Sequence, residues 1–443
     1  MATPKQWSVA QGTEPFPDQW WTALRDPAID TLVHAALDDS PAVDEMVSRT
    51  DEARAVLRGV EAQRLPSIQL SANATRQRSM AAEAGKTEIS SGASAGIGIS
   101  YELDLFGRVR ESVSAARNRL AARSAEVDSA RLTLAAQVAE GVVALRACAF
   151  SQRVRALDIQ SRAQMLNLTR KRIAAGVDAR VEESRAISSL ASARTEAELL
   201  EQECKKQTHA LEALTGNSAI DAILLNSGEE SSGNDTAFMP AAPALPPPLP
   251  ATVLAHHPDL VAADREAAAA WSDIGVARAA RLPRIDLAAI LTGNWLRAAG
   301  STLDYTTWSL GPTLAGPLFD GGAGASNVEV GEARYRAAIA RLRQAVRRVV
   351  QDVEQALASL ESSRLRVASA QEALGAARDT YSVTESRWRA GATSLFELED
   401  TRRQRASAQD AAIATVRDQV QAWIALMKAI GVTTPALPAS DRR

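Results

Sequence analysis

Few residues in this chain are spaced for catalysis. The four histidines, His34, His209, His256 and His257, are scattered. No His-Glu-x-x-His spacing, metal-type cysteine pair or phosphate-cradling glycine loop accompanies them. His256 and His257 precede Pro258 and read as a solvated helix start rather than a metal site. Gly321-Gly322-Ala323-Gly324 has no βαβ surroundings and reads as a turn between a strand and a helix. Glu182–Glu183 and Glu399–Asp400 are paired carboxylates of the kind that general acid–base chemistry uses. Both pairs sit in helical patterns of alternating charge, where they read better as side chains of a helix face. The expectation is a chain with no catalytic centre, no metal and no cofactor.

The two cysteines are placed differently. Cys148 lies 28 residues before Gly176 and Cys204 lies 28 after it. Both fall in apolar stripes, so an antiparallel hairpin turning at Gly176 brings them level. Two readings stay open: small buried thiols filling a seam, or a disulfide formed in an oxidising compartment.

The elements that position these residues change period sharply. From Ala93 to Leu103 the odd positions are apolar (Ala93, Ala95, Ile97, Ile99, Tyr101, Leu103) and the even ones are Ser, Gly or Glu, which is one greasy and one wet face of a strand. After Gly107 the apolar stripe Val127, Leu134, Val138, Leu145, Cys148 has helical heptad spacing. At about 68 residues and 1.5 Å each, that helix would be about 100 Å long. The same event recurs at Trp308–Gly322, where another alternating strand runs through Leu318-Phe319 into a long helix. Other landmarks repeat about 215 residues apart, such as Leu65-Pro66 with Leu282-Pro283 and Gly176 with Gly391. The chain therefore reads as a tandem duplication.

Each copy predicts an opening helix (about Ile29–Arg64 and Ala251–Arg281) and a hairpin of strands of about ten residues. The hairpin loops fall near Gln77–Ser90 and Arg297–Tyr305. A long helix, a glycine turn and a returning helix of about forty residues follow, forming an antiparallel coiled-coil hairpin. Pro312 and Pro317 set the last strand at a bulge or a lower rim. A net charge of −3 argues against nucleic acid, and Arg341, Arg343, Arg347 and Arg348 read as a solvated helix face. Aromatic content of 4% with abundant alanine suits closely packed helices. No run approaches 18 apolar residues, so a membrane could be met only through strands. Met1–Trp7 lacks an apolar leader core; the expectation is a leader already removed, against a cytosolic chain.

Gln19-Trp-Trp with Asp26-Pro27, Glu102-Leu-Asp-Leu-Phe-Gly-Arg108 and Pro317-Leu-Phe-Asp-Gly-Gly322 together resemble the TolC-like outer-membrane efflux family. The likeness spans about residues 16–432 and is strongest to its lipoprotein branch serving RND-type tripartite multidrug pumps, although the branch's acylated N-terminal cysteine has no counterpart here. The resemblance implies an α+β membrane protein. Long antiparallel α-helical coiled-coil hairpins would form an α-barrel, and four strands per chain would join a shared trimeric β-barrel in the outer membrane of a Gram-negative bacterium. Residues 1–64 would hold the N-terminal segment and first opening helix, 65–106 the first β-hairpin, 107–216 the first helical hairpin, and 217–250 a linker. Residues 251–282, 283–319 and 320–431 would repeat the series before a tail at 432–443.

The implied function is a passive exit duct for small molecules. A type I secretion duct for polypeptides and a non-channel coiled-coil scaffold are the rivals. Its partners would be two further copies, a periplasmic membrane-fusion adaptor, an inner-membrane transporter of RND type and outer-membrane lipid. The resemblance puts a periplasmic gate at Phe396, Glu397, Asp400 and Arg403, with Glu182 as the first-copy counterpart. It puts adaptor-contacting tips at Gly176, Val177, Gly391 and Ala392. Leu105, Phe106, Gly107, Phe319, Asp320, Gly321 and Gly322 are the junctions between strands and helices.

Overall fold

A computed structural model describes residues 19–80, 87–220, 223, 239–243, 255–298 and 301–432. Helices α1 (Pro27–Asp38) and α2 (Pro41–Glu61) lead into strands β1 (Ser67–Met80) and β2 (Thr87–Leu103), then α3 (Arg108–Ala174) and α4 (Arg180–Thr215). The second series is α5 (Pro258–Ala279), β3 (Arg284–Ala298), β4 (Ser301–Ala315), α6 (Ala323–Arg389) and α7 (Leu395–Ala429). α3 and α6 are each 67 residues long, and α4 and α7 have 36 and 35. Most of the linker 217–250, the tail Pro435–Arg443 and Met1–Trp7 lie outside the described residues.

The chain forms two compact units. One takes residues 47–126 and 261–345 and contains the sheet. Its strands run antiparallel in the order β1-β2-β3-β4, each pair in one unbroken register, for example Ile68↔Ile99, Ile99↔Ala289 and Ala289↔Leu310. That register gathers most apolar residues of the four strands on one face, while Ile290, Leu296, Leu303 and Tyr305 lie on the other. Leu70 keeps 80% of its surface and Trp308 77%, so none of the described residues covers that part of the face. Around the strands' helical ends, Leu57 of α2 packs on Val113 and Ala116 of α3, and Trp271 of α5 meets Tyr335 of α6 at 5.2 Å.

The other unit takes residues 1–46, 127–260 and 346–443. Asp26 caps α1, accepting from the Ala28 N–H at 2.9 Å, with Pro27 at the first helical position. The same carboxylate receives two charge-assisted hydrogen bonds from Arg146 of α3, at 2.5 and 2.7 Å, with both side chains buried. Trp20 sits beside this cap, its ring 5.8 Å from Trp21 and 6.0 Å from Trp423 of α7. Val127, Leu134, Val138, Leu145 and Cys148 are all buried, as their heptad spacing predicts. An 18-residue window of α3 reaches a mean hydropathy of 1.4, long and apolar enough to cross a membrane, but 67% of it is buried within the protein.

Four expectations need correction. The strands are 14 to 17 residues long rather than about ten, because backbone pairing continues through polar residues that the apolar alternation does not mark. Much of each expected hairpin loop is therefore strand, leaving 81–86 and 299–300 outside the described residues. The first opening helix is broken at Asp39–Ser40, since Pro41 cannot continue a helix from the preceding turn. β4 has no bulge at Pro312, which pairs in register with Leu287, and the strand ends at Ala315 before Pro317. A proline is tolerated there because β4 is an edge strand. His257 is buried rather than solvated, and its Nδ1 accepts from the Asp259 N–H at 3.2 Å. Burial pushes its pKa below the usual histidine range, which keeps that ring nitrogen an acceptor.

Replacing Arg146 by Met should strand a buried carboxylate at Asp26 and cost about 3–5 kcal/mol. Adding Asp26→Asn should restore part of that loss. Urea unfolding followed by the fluorescence of Trp20, Trp21 and Trp423 measures both.

Candidate functional site

Each helical hairpin turns on one glycine. Gly176 has φ +75° and Gly391 φ +73°, conformations that a side chain disfavours. The Val177 N–H reaches the Arg172 carbonyl at 2.9 Å and the Ala392 N–H reaches that of Arg387 at 2.8 Å. These are the closing bonds of Schellman motifs, which satisfy the last carbonyls of α3 and α6. Gly176, Val177, Gly391 and Ala392 are all exposed. The two turns differ beyond them. Arg172 grips Asp178 at 2.8 Å in the first, whereas in the second Ser394 caps α7 by accepting from the Glu397 N–H at 3.2 Å.

Farther along α7, two neighbouring carboxylates meet opposite fates. Asp400 holds Arg403 at 3.1 Å and Gln404 at 2.8 Å, and about half of its side chain is exposed. Phe396, one turn earlier, is 62% exposed. Glu397 pairs with Arg387 at 3.7 Å, and Glu182 with Arg185 at 2.7 Å. Glu182, Phe396 and Arg403 line one cleft of about 620 Å³ between α4 and α7. Glu397 and Asp400 are not part of its lining.

Glu399 points the other way. It pairs with Arg402, which is 1% exposed, accepts from the Ser189 hydroxyl of α4 at 2.9 Å, and lies 3.5 Å from Arg162 of α3. Arg162 in turn holds Asp158 at 2.7 Å. Farther from the tip, Arg155 of α3 binds Asp410 of α7 at 2.5 Å and Glu196 of α4 at 3.2 Å. Burial raises the Asp410 carboxyl above its usual range, with Arg155 offsetting part of the effect. Around this network Met165, Tyr381, Trp388 and Leu398 form an apolar cluster, and the Arg405 guanidinium stacks 4.0 Å from the Tyr381 ring centre. Glu399, through Arg162 and Ser189, thus fastens α7 to α3 and α4, with Arg402 completing its charge balance from within α7, a role that sequence spacing did not mark. Glu399-x-x-Arg402 and Asp400-x-x-Arg403 are the same pattern one residue apart, and only burial separates them.

At the other end of the helices, the junctions repeat a shared device. Asp104 accepts from the N–H groups of Val109 and Arg110 at 3.0 and 2.8 Å. Asp320 accepts from Gly322 and Gly324 at 2.8 and 2.7 Å, and those bonds hold its pKa below the usual carboxylate range. Asp104 was missed among the junction residues, although its offset of 216 from Asp320 could have found it. Gly107, Gly321 and Gly322 all have positive φ. Leu105, Phe106 and Phe319 are exposed, Phe319 at 92%. The cysteines are joined: Cys148 of α3 and Cys204 of α4 form a disulfide with Cα atoms 5.8 Å apart.

Two long helical hairpins, and a four-stranded antiparallel sheet whose apolar face is uncovered among the described residues, mark a membrane-anchored protein of mixed α and β structure. The chain belongs to the outer membrane efflux protein family, whose profile matches residues 32–217 and 249–432. It is 29% identical to the pyoverdine export outer membrane protein OpmQ of Pseudomonas aeruginosa, over 97% of this chain and 91% of that one. It is 27% identical to nodulation protein T of Rhizobium leguminosarum bv. trifolii, over 93% and 87%. A crystal structure of a membrane protein from Pseudomonas aeruginosa superposes with a TM-score of 0.84 at 26% identity, covering 97% of this chain and 98% of that one. The outer-membrane channel OprN shares the fold at a TM-score of 0.86 and 24% identity, over 97% of each chain. The protein is thus an outer-membrane efflux duct of the TolC-like kind.

Thiol titration checks the cysteine pair. The denatured, unreduced protein should show no free thiol, and reduction should release two per chain.

Proposed function

We propose that three copies of the chain close one passive duct carrying small molecules from the periplasm to the exterior. The observation that carries this is the sheet. β1 and β4 are its edges, about eight strands are the fewest that close a barrel, and hydrocarbon offers edge amides no partner. Three chains would supply twelve strands, each β4 completing the next chain's β1. A periplasmic adaptor would meet the tips at Gly176, Val177, Gly391 and Ala392, and an inner-membrane transporter of RND type would supply the drive.

Small molecules are favoured over polypeptides by the relatives' names. These specify pyoverdine export, toluene efflux and fusaric acid resistance. Such unlike compounds argue that a duct of this family leaves selection to its partners.

The gate assigned to this duct is the exposed face of α7. Three copies of Asp400 would bring like charges together in a narrow throat, offset by Arg403, Gln404 and bound cations. Phe396 would close the remaining aperture, with Glu397 and Glu182 at its margin. The buried Arg402–Glu399–Arg162 link would hold α7 in the closed position.

Planar-bilayer recording on the purified protein tests this. The wild type should give small, cation-preferring channels, and its mass in mild detergent should be that of three chains. Asp400→Ala should reduce the cation preference. Asp400→Ala with Phe396→Ser should raise conductance several-fold and make cells sensitive to vancomycin. Arg402→Met should lengthen openings by loosening α7 without altering the throat. A double variant that inserts normally yet conducts like wild type rejects the gate and leaves the duct standing.

A further inference from the structure

The end of the sheet away from α3 and α6 carries a charge pattern that conduction does not use. The strand registers put Arg76, Ser91 and Arg297 in one cross-strand row, Arg76↔Ser91 on one side and Ser91↔Arg297 on the other. Arg78 follows two residues farther along β1, on the same face by the strand's alternation. That face is the apolar one, shared with Ile68, Leu70, Ile99 and Trp308. All three arginines are exposed, and among the described residues none of them forms an ion pair. Asp304, which faces Trp295 one row closer to the helices, pairs with none of them either.

Along β3 the apolar positions of this face run from Ile285 to Trp295. Ten residue steps of about 3.3 Å, tilted by about 40°, span about 25 Å, the height of the lipid-facing band of an outer-membrane barrel. The arginine row begins two residue steps beyond that band, at Arg297. Guanidinium groups on a lipid-facing surface are costly at the midplane and tolerated at the interface. At that depth the surrounding anions are headgroup phosphates, which arginine binds in a two-pronged geometry. Arg76 and Arg297 stand about 10 Å apart, two strand spacings, so they do not converge on a single small anion. The two rows beneath them, Ala74↔Ala93↔Trp295 and Ala72↔Ala95↔Gly293, are small except for Trp295, leaving a ledge beside that ring.

We infer that this rim binds a glycolipid of the outer leaflet bearing more than one headgroup phosphate. Arg76, Arg78 and Arg297 hold the phosphates, and an acyl chain lies over the alanine–glycine ledge against Trp295. The inference rests on the strands crossing the outer membrane with their hairpin ends outward.

Native mass spectrometry of the detergent-purified full chain, titrated with bisphosphorylated lipid A, tests it. Arg76→Ser/Arg78→Ser/Arg297→Ser should bind at least about tenfold more weakly, a difference well resolved in dissociation constants. Dephosphorylated lipid A should bind the wild type equally poorly, and the triple Arg→Lys variant should stay within about threefold of wild type. If the triple serine variant does not assemble, Arg76→Ser and Arg297→Ser singly should each weaken binding about threefold. Unchanged binding by the serine variants overturns the inference. So does equal binding of phosphatidylglycerol, which marks a general anionic attraction, and so does full displacement by millimolar inorganic phosphate, which marks a free-phosphate site. Outer-membrane fractionation and conductance are read on the same preparations. Insertion without lipid A binding defeats the glycolipid assignment alone, whereas a wild type that does not insert defeats the membrane reading beneath it.

Discussion

A backbone amide facing hydrocarbon can be satisfied only by another backbone group, and the rest of this structure depends on that constraint. It explains why the strands pair in unbroken registers over 14 to 17 residues. It explains equally why the pairing does not stop where the apolar alternation stops. Paired backbone must reach past the lipid at both rims, so the ladder runs through Arg76, Arg78 and Arg297 at one end and Glu102 and Asp286 at the other. The same constraint leaves a single chain incomplete, with β1 and β4 each presenting a bare edge.

The helices solve a different problem, since water can satisfy their surfaces. Long stretches of α3 and α6 must keep one register against α4 and α7 with few large side chains to lock it. Close approach does part of this: a Cβ at Gly141 would come within 3.1 Å of Leu211. Buried ion pairs do another part. Exposed pairs such as Asp400–Arg403 contribute about 0–1 kcal/mol each and tolerate slippage. Arg146–Asp26 and Arg162–Glu399 do not, because each joins two elements and a shift of one turn would leave a buried charge alone. Such pairs set register more than they add net stability.

That contrast explains what the sequence could convey. Period two, period three and a half, the repeat near 215 residues and the glycine turns are local patterns, and the folded chain keeps them at Ala93–Leu103, Val127–Cys148, Gly176 and Gly391. Burial of a charge is a tertiary property. Glu399 and Asp400 adjoin in one helix with arginines at the same spacing, so nothing local says which of them faces α3. His257 shows the same limit, since a histidine before a proline reads as exposed until α7 delivers Gly431 against its ring. The strand lengths failed for a third reason. Side-chain alternation reports which face is greasy, while strand ends are decided by backbone pairing.

The two copies of the repeat have also diverged in how their hairpins are held. In the first, a covalent bond joins α3 to α4 through Cys148 and Cys204. Its turn is tied by Arg172–Asp178, and Ala179, at the N-cap of α4, makes no side-chain cap. The second carries no cysteine; Ser394 caps α7, and Tyr381, Trp388 and Leu398 pack with Met165 of α3. Separating α3 from α4 at the level of the cysteines therefore requires breaking a covalent bond or bending two helices around it. Moving α7 requires only the exchange of ion pairs and aromatic contacts for water, each worth about one to a few kcal/mol. Opening of the proposed gate with the disulfide intact would therefore fall mainly on the second hairpin, the one that carries Phe396 and Asp400.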